Sequence, residues 1–108
     1  MRIIVRVLLE KPKLGLTALN LSDNMITSEG CKLICTLIDR SRYLDDLQLQ
    51  NNEIDNDGAN RLVSSLKKRR LAQLNMDNNM VSGDVLKSLM LELPTRKLSL
   101  VRHKLTKD

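Results

Sequence analysis

One eleven-residue phrase constrains this chain more than anything else in it. LTALNLSDNMI, at residues 16–26, returns as LDDLQLQNNEI from Leu44, as LAQLNMDNNMV from Leu71, and in worn form as TRKLSLVRHKL from Thr95. Successive copies start 28, 27 and 24 residues apart. A period of that length marks stacked units, each exposing an apolar face that only a neighbouring copy can bury. The phrase asks for sixteen apolar residues across its four copies, and only Thr95 fails it.

Within each copy the apolar residues sit two apart: Leu19 and Leu21, Leu47 and Leu49, Leu74 and Met76, Leu98 and Leu100. That period puts each pair on one face of a short strand. Stacked in parallel, the pairs form continuous apolar columns.

The chain must then turn, and Asn24, Asn52 and Asn79 stand at the same place in three copies. An asparagine amide offers two donors and an acceptor, enough to satisfy backbone groups where a strand ladder ends in the interior. Asn51, beside Asn52, is expected to matter much less. In the fourth copy the position is His103, whose neutral ring has one donor and one acceptor and can do only part of that work. It reads as a ladder residue, not a catalytic base.

The second half of each unit reads as a helix. Three residues past each Asn comes Thr27, Asp55 or Ser82, good N-cap types, and two further on Glu29, Asp57 or Asp84, acids that favour a helix N-terminus. Apolar residues then fall at helical spacing: Cys31, Ile34, Cys35 and Ile38; Ala59, Leu62, Val63 and Leu66; Leu86, Leu89, Met90 and Leu93. Each series predicts one buried stripe against the sheet. Gly30 and Gly58 recur six residues after the Asn, as packing positions where helix and strand approach closely. Met1, Ile4, Val5 and Leu8 repeat the stripe before the first strand, so the chain is expected to open in the helix of a unit without its own strand, the competing reading being a strand in which Ile3, Val5 and Val7 alternate imperfectly with Ile4 and Arg6.

The template L-x-x-L-x-L-x-x-N-x-L resembles the leucine-rich repeat, and spacings of 27 and 28 with a helical second half most resemble its ribonuclease-inhibitor-like subclass. The resemblance implies an α/β solenoid: a short right-handed β-α horseshoe arc with a parallel sheet on its concave face and helices on its convex face. The chain then divides into a partial helical unit at 1–13, repeats at 14–43, 44–70 and 71–94, and a degenerate repeat at 95–108, all one domain. The resemblance also implies a protein-interaction module.

Composition narrows the chemistry. With no Phe, no Trp and one Tyr, the core must be aliphatic. Cys31 and Cys35 occupy places filled by Ala59 and Val63 in the next copy and read as small core residues. Two thiols with no nearby His cannot complete a tetrahedral metal site, so neither metal nor cofactor is expected. One His, no glycine-rich phosphate loop and adjacent Asp45 and Asp46, which point to opposite sides of a strand, give no acid–base pair. No catalysis is expected.

No run reaches the roughly 18 apolar residues of a membrane span, and the start lacks a secretory signal, so a cytoplasmic protein is expected, with the nucleus as the other compartment. The net charge of +5 is uneven: residues 1–13 and 96–108 are basic, the middle slightly acidic. Lys67, Lys68, Arg69 and Arg70 form a basic run where cations favour a helix C-terminus. Aromatics for base stacking are nearly absent, so sequence-reading of nucleic acid is not expected.

The strand residues facing away from the core are then the candidate partner-binding set: Asn20, Asp46, Gln48, Gln50, Gln73, Asn75 and Asp77. The principal expectation is a scaffold binding a protein on that face. The alternative is a basic peripheral module held by RNA or other acidic surfaces through Lys67, Lys68, Arg69, Arg70 and the basic C-terminus. Open terminal repeats predict weak self-association as well.

Overall fold

In a computed structural model the described residues are 15–103. The expected first helical unit, with Met1, Ile4, Val5 and Leu8, lies outside them, as does the end of the degenerate repeat from Lys104 onward. Four strands, β1 (Ala18–Asn20), β2 (Asp46–Gln48), β3 (Gln73–Asn75) and β4 (Lys97–Ser99), alternate with three helices, α1 (Ser28–Arg40), α2 (Asn56–Leu66) and α3 (Gly83–Glu92). The strands make one parallel sheet in chain order.

Register follows the repeat. Leu19, Leu47, Leu74 and Leu98 are successive cross-strand partners, so the apolar column continues from unit to unit. Leu47, Leu49, Leu74 and Met76 are fully buried together with Ile34, Ile38, Leu62 and Leu89 from the helices, which therefore cover one face of the sheet. Backbone pairing outlasts the strands: the amides of Leu21, Leu49 and Met76 reach the carbonyls of Gln48, Asn75 and Ser99 at 2.8–2.9 Å, and those of Asp23, Asn51 and Asn78 reach Gln50, Asp77 and Val101 at 2.8–3.1 Å.

The chain leaves the sheet through a left-handed residue. Asp23, Asn51, Asn78 and Arg102, each just before a ladder position, have φ of 56–60°. Asp and Asn tolerate that region better than other non-glycine residues; Arg102 does not share the advantage. Asn51 therefore has a backbone role the sequence reading did not give it, and it also accepts a hydrogen bond from Asn78 Nδ2 at 2.8 Å.

Beside it runs the buried ladder. Asn52 Oδ1 accepts the amides of Asn24 and Ile26, both at 2.9 Å, while Nδ2 donates to the carbonyls of Leu21 at 3.1 Å and Leu49 at 3.0 Å. Asn79 repeats the arrangement, taking the Ile54 amide at 3.0 Å and giving to Leu49 at 3.0 Å and Met76 at 2.9 Å. Each amide thus satisfies its own turn and the preceding one. Asn24 Nδ2 donates to Leu21 and Ser22 within its own turn.

The helices begin where their sequence signals place them, with Thr27, Asp55 and Ser82 at the N-caps. Only Asp55 caps through its side chain, to the Gly58 amide at 3.0 Å. The Ser82 amide is instead bonded by Asn56 Oδ1 of the preceding unit at 2.8 Å. Gly58 is close-packed, but against another helix and a turn: a Cβ there would lie 3.0 Å from Cys31 Sγ and 3.2 Å from Ser28 Cα. Met90 departs from the expected stripe, being 66% exposed. The equivalent Cys35 and Val63 are half-buried against the core; α3 has no helix after it among the described residues.

Candidate functional site

Because side chains alternate along each strand, the residues between the core leucines form three rows across the helix-free face. Cross-strand pairing puts Ala18, Asp46, Gln73 and Lys97 in the first row and Asn20, Gln48, Asn75 and Ser99 in the second. Just past the strands, Ser22, Gln50, Asp77 and Val101 continue the same phase.

Several of these side chains are already engaged. Asn20 Oδ1 accepts from the Ser22 amide at 3.0 Å and hydroxyl at 2.7 Å, and Asn75 Oδ1 accepts the Asp77 amide at 2.8 Å. At the corresponding place in β2 the longer Gln48 instead turns back, its Nε2 donating to Asp46 Oδ1 at 2.8 Å. Asp77 ties β3 to the last unit: its carboxylate accepts the Ser99 hydroxyl at 2.7 and 2.8 Å and the Val101 amide at 2.8 Å. Gln50 Oε1 is buried without a partner among the described residues. At the C-terminal ends of the strands, Gln50, Asn51, Asn75, Asp77, Asn78 and Arg102 line a polar hollow of about 420 Å³.

The basic run does not act as one patch. Arg69 is drawn onto the end of α1, where Nη1 donates to the Ile38 carbonyl and Nη2 to those of Ser41 and Arg42, both at 2.7 Å. These carbonyls lie at and just past the C-terminus of α1; those of Ile38 and Ser41 also accept the Ser41 and Leu44 amides, and the guanidinium of the following repeat adds a charged donor to each. Lys67, Lys68 and Arg70 stay exposed, and Arg70 lines a separate notch with Asp45 and Arg96. The later C-terminal cations, Lys104 and Lys107, lie outside the described residues.

His103 enters the ladder at its end, Nδ1 accepting the Val81 amide at 3.1 Å. Its Nε2 is buried without a hydrogen-bond partner among the described residues. Burial pushes its pKa down, with the Asp77 carboxylate and the Met76 carbonyl pulling the other way. The thiols are poor nucleophiles. Burial pushes Cys31 up to about 12, and burial also raises Cys35, whose Sγ donates to the Arg61 carbonyl. Both are free. Among the described residues no group of three or more His, Cys, Asp and Glu could hold a metal ion, and no helix is long and apolar enough to cross a membrane.

The family model for the leucine-rich repeat matches residues 16–35 and 40–63, the first running from β1 into α1 and the second from the end of α1 through most of α2. No curated protein matches the chain. Those two matches support leucine-rich repeats in this chain, and four parallel strands alternating with helices fit an α/β solenoid arc of such repeats. Such repeats are generally modules of protein interaction and typically non-catalytic.

Proposed function

We propose that the chain binds another protein on the helix-free, concave face of its sheet and performs no catalysis there. The observation that carries this reading is the register: every strand offers its outward side chains in line with those of its neighbours, on a face the core does not use. Gln73 is exposed and makes no side-chain hydrogen bond among the described residues, and together with Gln48, Gln50 and Asn75 it makes a surface dense in adaptable amides. Asp46 and Asp77 add acid on either side. The full helices of 13 and 11 residues in the first two repeats also support placing the repeats in the ribonuclease-inhibitor-like subclass. A cytoplasmic setting, with the nucleus as alternative, belongs to the same proposal and accords with two unpaired thiols.

The test compares partner capture from cell extract by the native chain, by Gln48→Lys with Gln73→Lys, and by Lys67→Glu with Lys68→Glu and Arg70→Glu, after melting curves show all three folded. Loss in the first variant only, with capture surviving high salt, is the expected result. Loss in the second variant only, with steep salt sensitivity, would favour the basic module bound to RNA or another acidic surface.

A further inference from the structure

We infer that the helix-free face takes a polar segment of a partner in the polyproline II conformation, laid across the strands with a basic and an acidic residue three positions apart. This rests on the reading of that face as the binding surface. It starts from the first row, Ala18, Asp46, Gln73 and Lys97. Asp46 and Lys97 stand two strands apart, and strands are spaced about 4.8 Å, so the two side chains leave the sheet roughly 9.6 Å apart. Neither is in a salt bridge among the described residues. Asp46 commits only Oδ1, to Gln48. The row is therefore a fixed dipole, negative over β2 and positive over β4, with the uncharged Gln73 between.

A partner matching that dipole needs a cation and an anion about 10 Å apart on one side of its backbone. A fully extended strand brings same-side residues to about 6.7 Å or 13 Å; its three-residue step has the right length but points the second side chain to the opposite face. An α-helix reaches about 10.5 Å only over seven residues, and its main chain is bonded internally, leaving the amides of this face little backbone to recognise. Polyproline II has three residues per turn and a rise of about 3.1 Å, so residues three apart share a side at roughly 9.3 Å, and its backbone groups are unbonded. Charge spacing and hydrogen-bonding capacity agree on that conformation. Proline-rich segments usually dock in aromatic-lined grooves. The single aromatic residue here, Tyr43, precedes β2 in a loop, so the features recognised are charge spacing and main chain, not proline rings.

Nuclear magnetic resonance titration of the full labelled chain tests this with synthetic ten-residue probes in a polar, polyproline-II-favouring host, carrying one Arg and one Glu two, three or four positions apart. The three-apart probe should bind roughly two- to fivefold tighter than the others, the range of an exposed ion pair, with shifts concentrated on β2 to β4. Lys97→Glu should transfer the preference, by a similar factor, to a probe with two Arg three apart. Equal affinity at all spacings, or no transfer, overturns the inference. If those equal affinities still come with shifts on β2 to β4, the face remains the binding surface. If no probe binds while Gln48→Lys with Gln73→Lys still abolishes partner capture, the inference again falls and that reading stands. Shifts confined to Lys67, Lys68 and Arg70 overturn both.

Discussion

His103 Nδ1 accepts the Val81 amide at 3.1 Å, the same bond that Asn52 Oδ1 makes with Ile26 and Asn79 Oδ1 with Ile54. Nδ1 can accept only while the ring is neutral with its hydrogen on Nε2. Folding therefore opposes the second proton, in line with a pKa held by burial below its usual 6.5. Between the folded pKa and 6.5 the unfolded chain binds more protons, so the ring's contribution to stability is full above 6.5 and is lost as pH falls through that window. Urea midpoints measured from neutral pH downward should show this fall. His103→Asn should flatten it and raise stability by about 1 kcal/mol, since an amide can also donate to the turn carbonyls.

Asn52→Ala should destabilise the fold by about 3 kcal/mol, because it orphans the amides of Asn24 and Ile26 and takes one of two side-chain donors from each of the Leu21 and Leu49 carbonyls. Asn51→Ala should cost about 1 kcal/mol, for a left-handed backbone that alanine tolerates less well, and Asn51→Gly less than that. Urea denaturation separates the three; an Asn51→Ala shift as large as that of Asn52→Ala would contradict the assignment.

Thr95 takes the place of Leu44 and Leu71, and its Oγ1 is buried without a partner among the described residues. Thr95→Val keeps the shape and removes the unpaired hydroxyl. A gain of about 1 kcal/mol in thermal or urea unfolding is expected.

Arg69→Ala should cost about 2 kcal/mol, since the charged donor to the carbonyls of Ile38, Ser41 and Arg42 is lost, although the first two keep a backbone amide each. Lys67→Ala and Lys68→Ala should change stability by no more than about 0.5 kcal/mol. Arg69→Lys should fall between, because an ammonium cannot reproduce the forked guanidinium contact.

The strands and their alignment were legible because two constraints coincide: leucines two apart set the faces, and the recurring turn sets the register. The helices were legible from their spacing, yet Met90 came out on the surface, since that stripe presumes a neighbour on both flanks. Thr27 and Ser82 are of capping type, but their hydroxyls make no cap bond; residue type marks a position without fixing who satisfies it. Nothing local distinguishes Arg69 from the three cations around it, because its carbonyl partners lie 25 to 31 residues earlier. The left-handed turns carried a readable signal, an Asp or Asn immediately before each ladder Asn, whose backbone meaning only the dihedral angles made plain. Of the candidate surface, the alternation of outward residues was legible; that Asn75 is partly consumed by its own turn and Asp77 by the unit that follows was not.

Between units, the bonds of the ladder asparagines Asn52 and Asn79 point one way along the chain. Asn79 serves Leu49 and Ile54, Asn52 serves Leu21 and Asn24, and neither amide is needed by the unit that follows it. Peeling the arc from its C-terminal side therefore strips each predecessor of the side chain that completes its turn, while peeling from the other side costs the remaining units single contacts, such as the bonds of the Glu53, Met80 and Ser82 amides, and leaves their ladder asparagines in place. Loss of order should travel towards the N-terminus like an unravelling hem, and amide protons in the Asn24 and Asn52 turns should exchange sooner after damage at Asn79 than those of the Asn79 turn do after damage at Asn24.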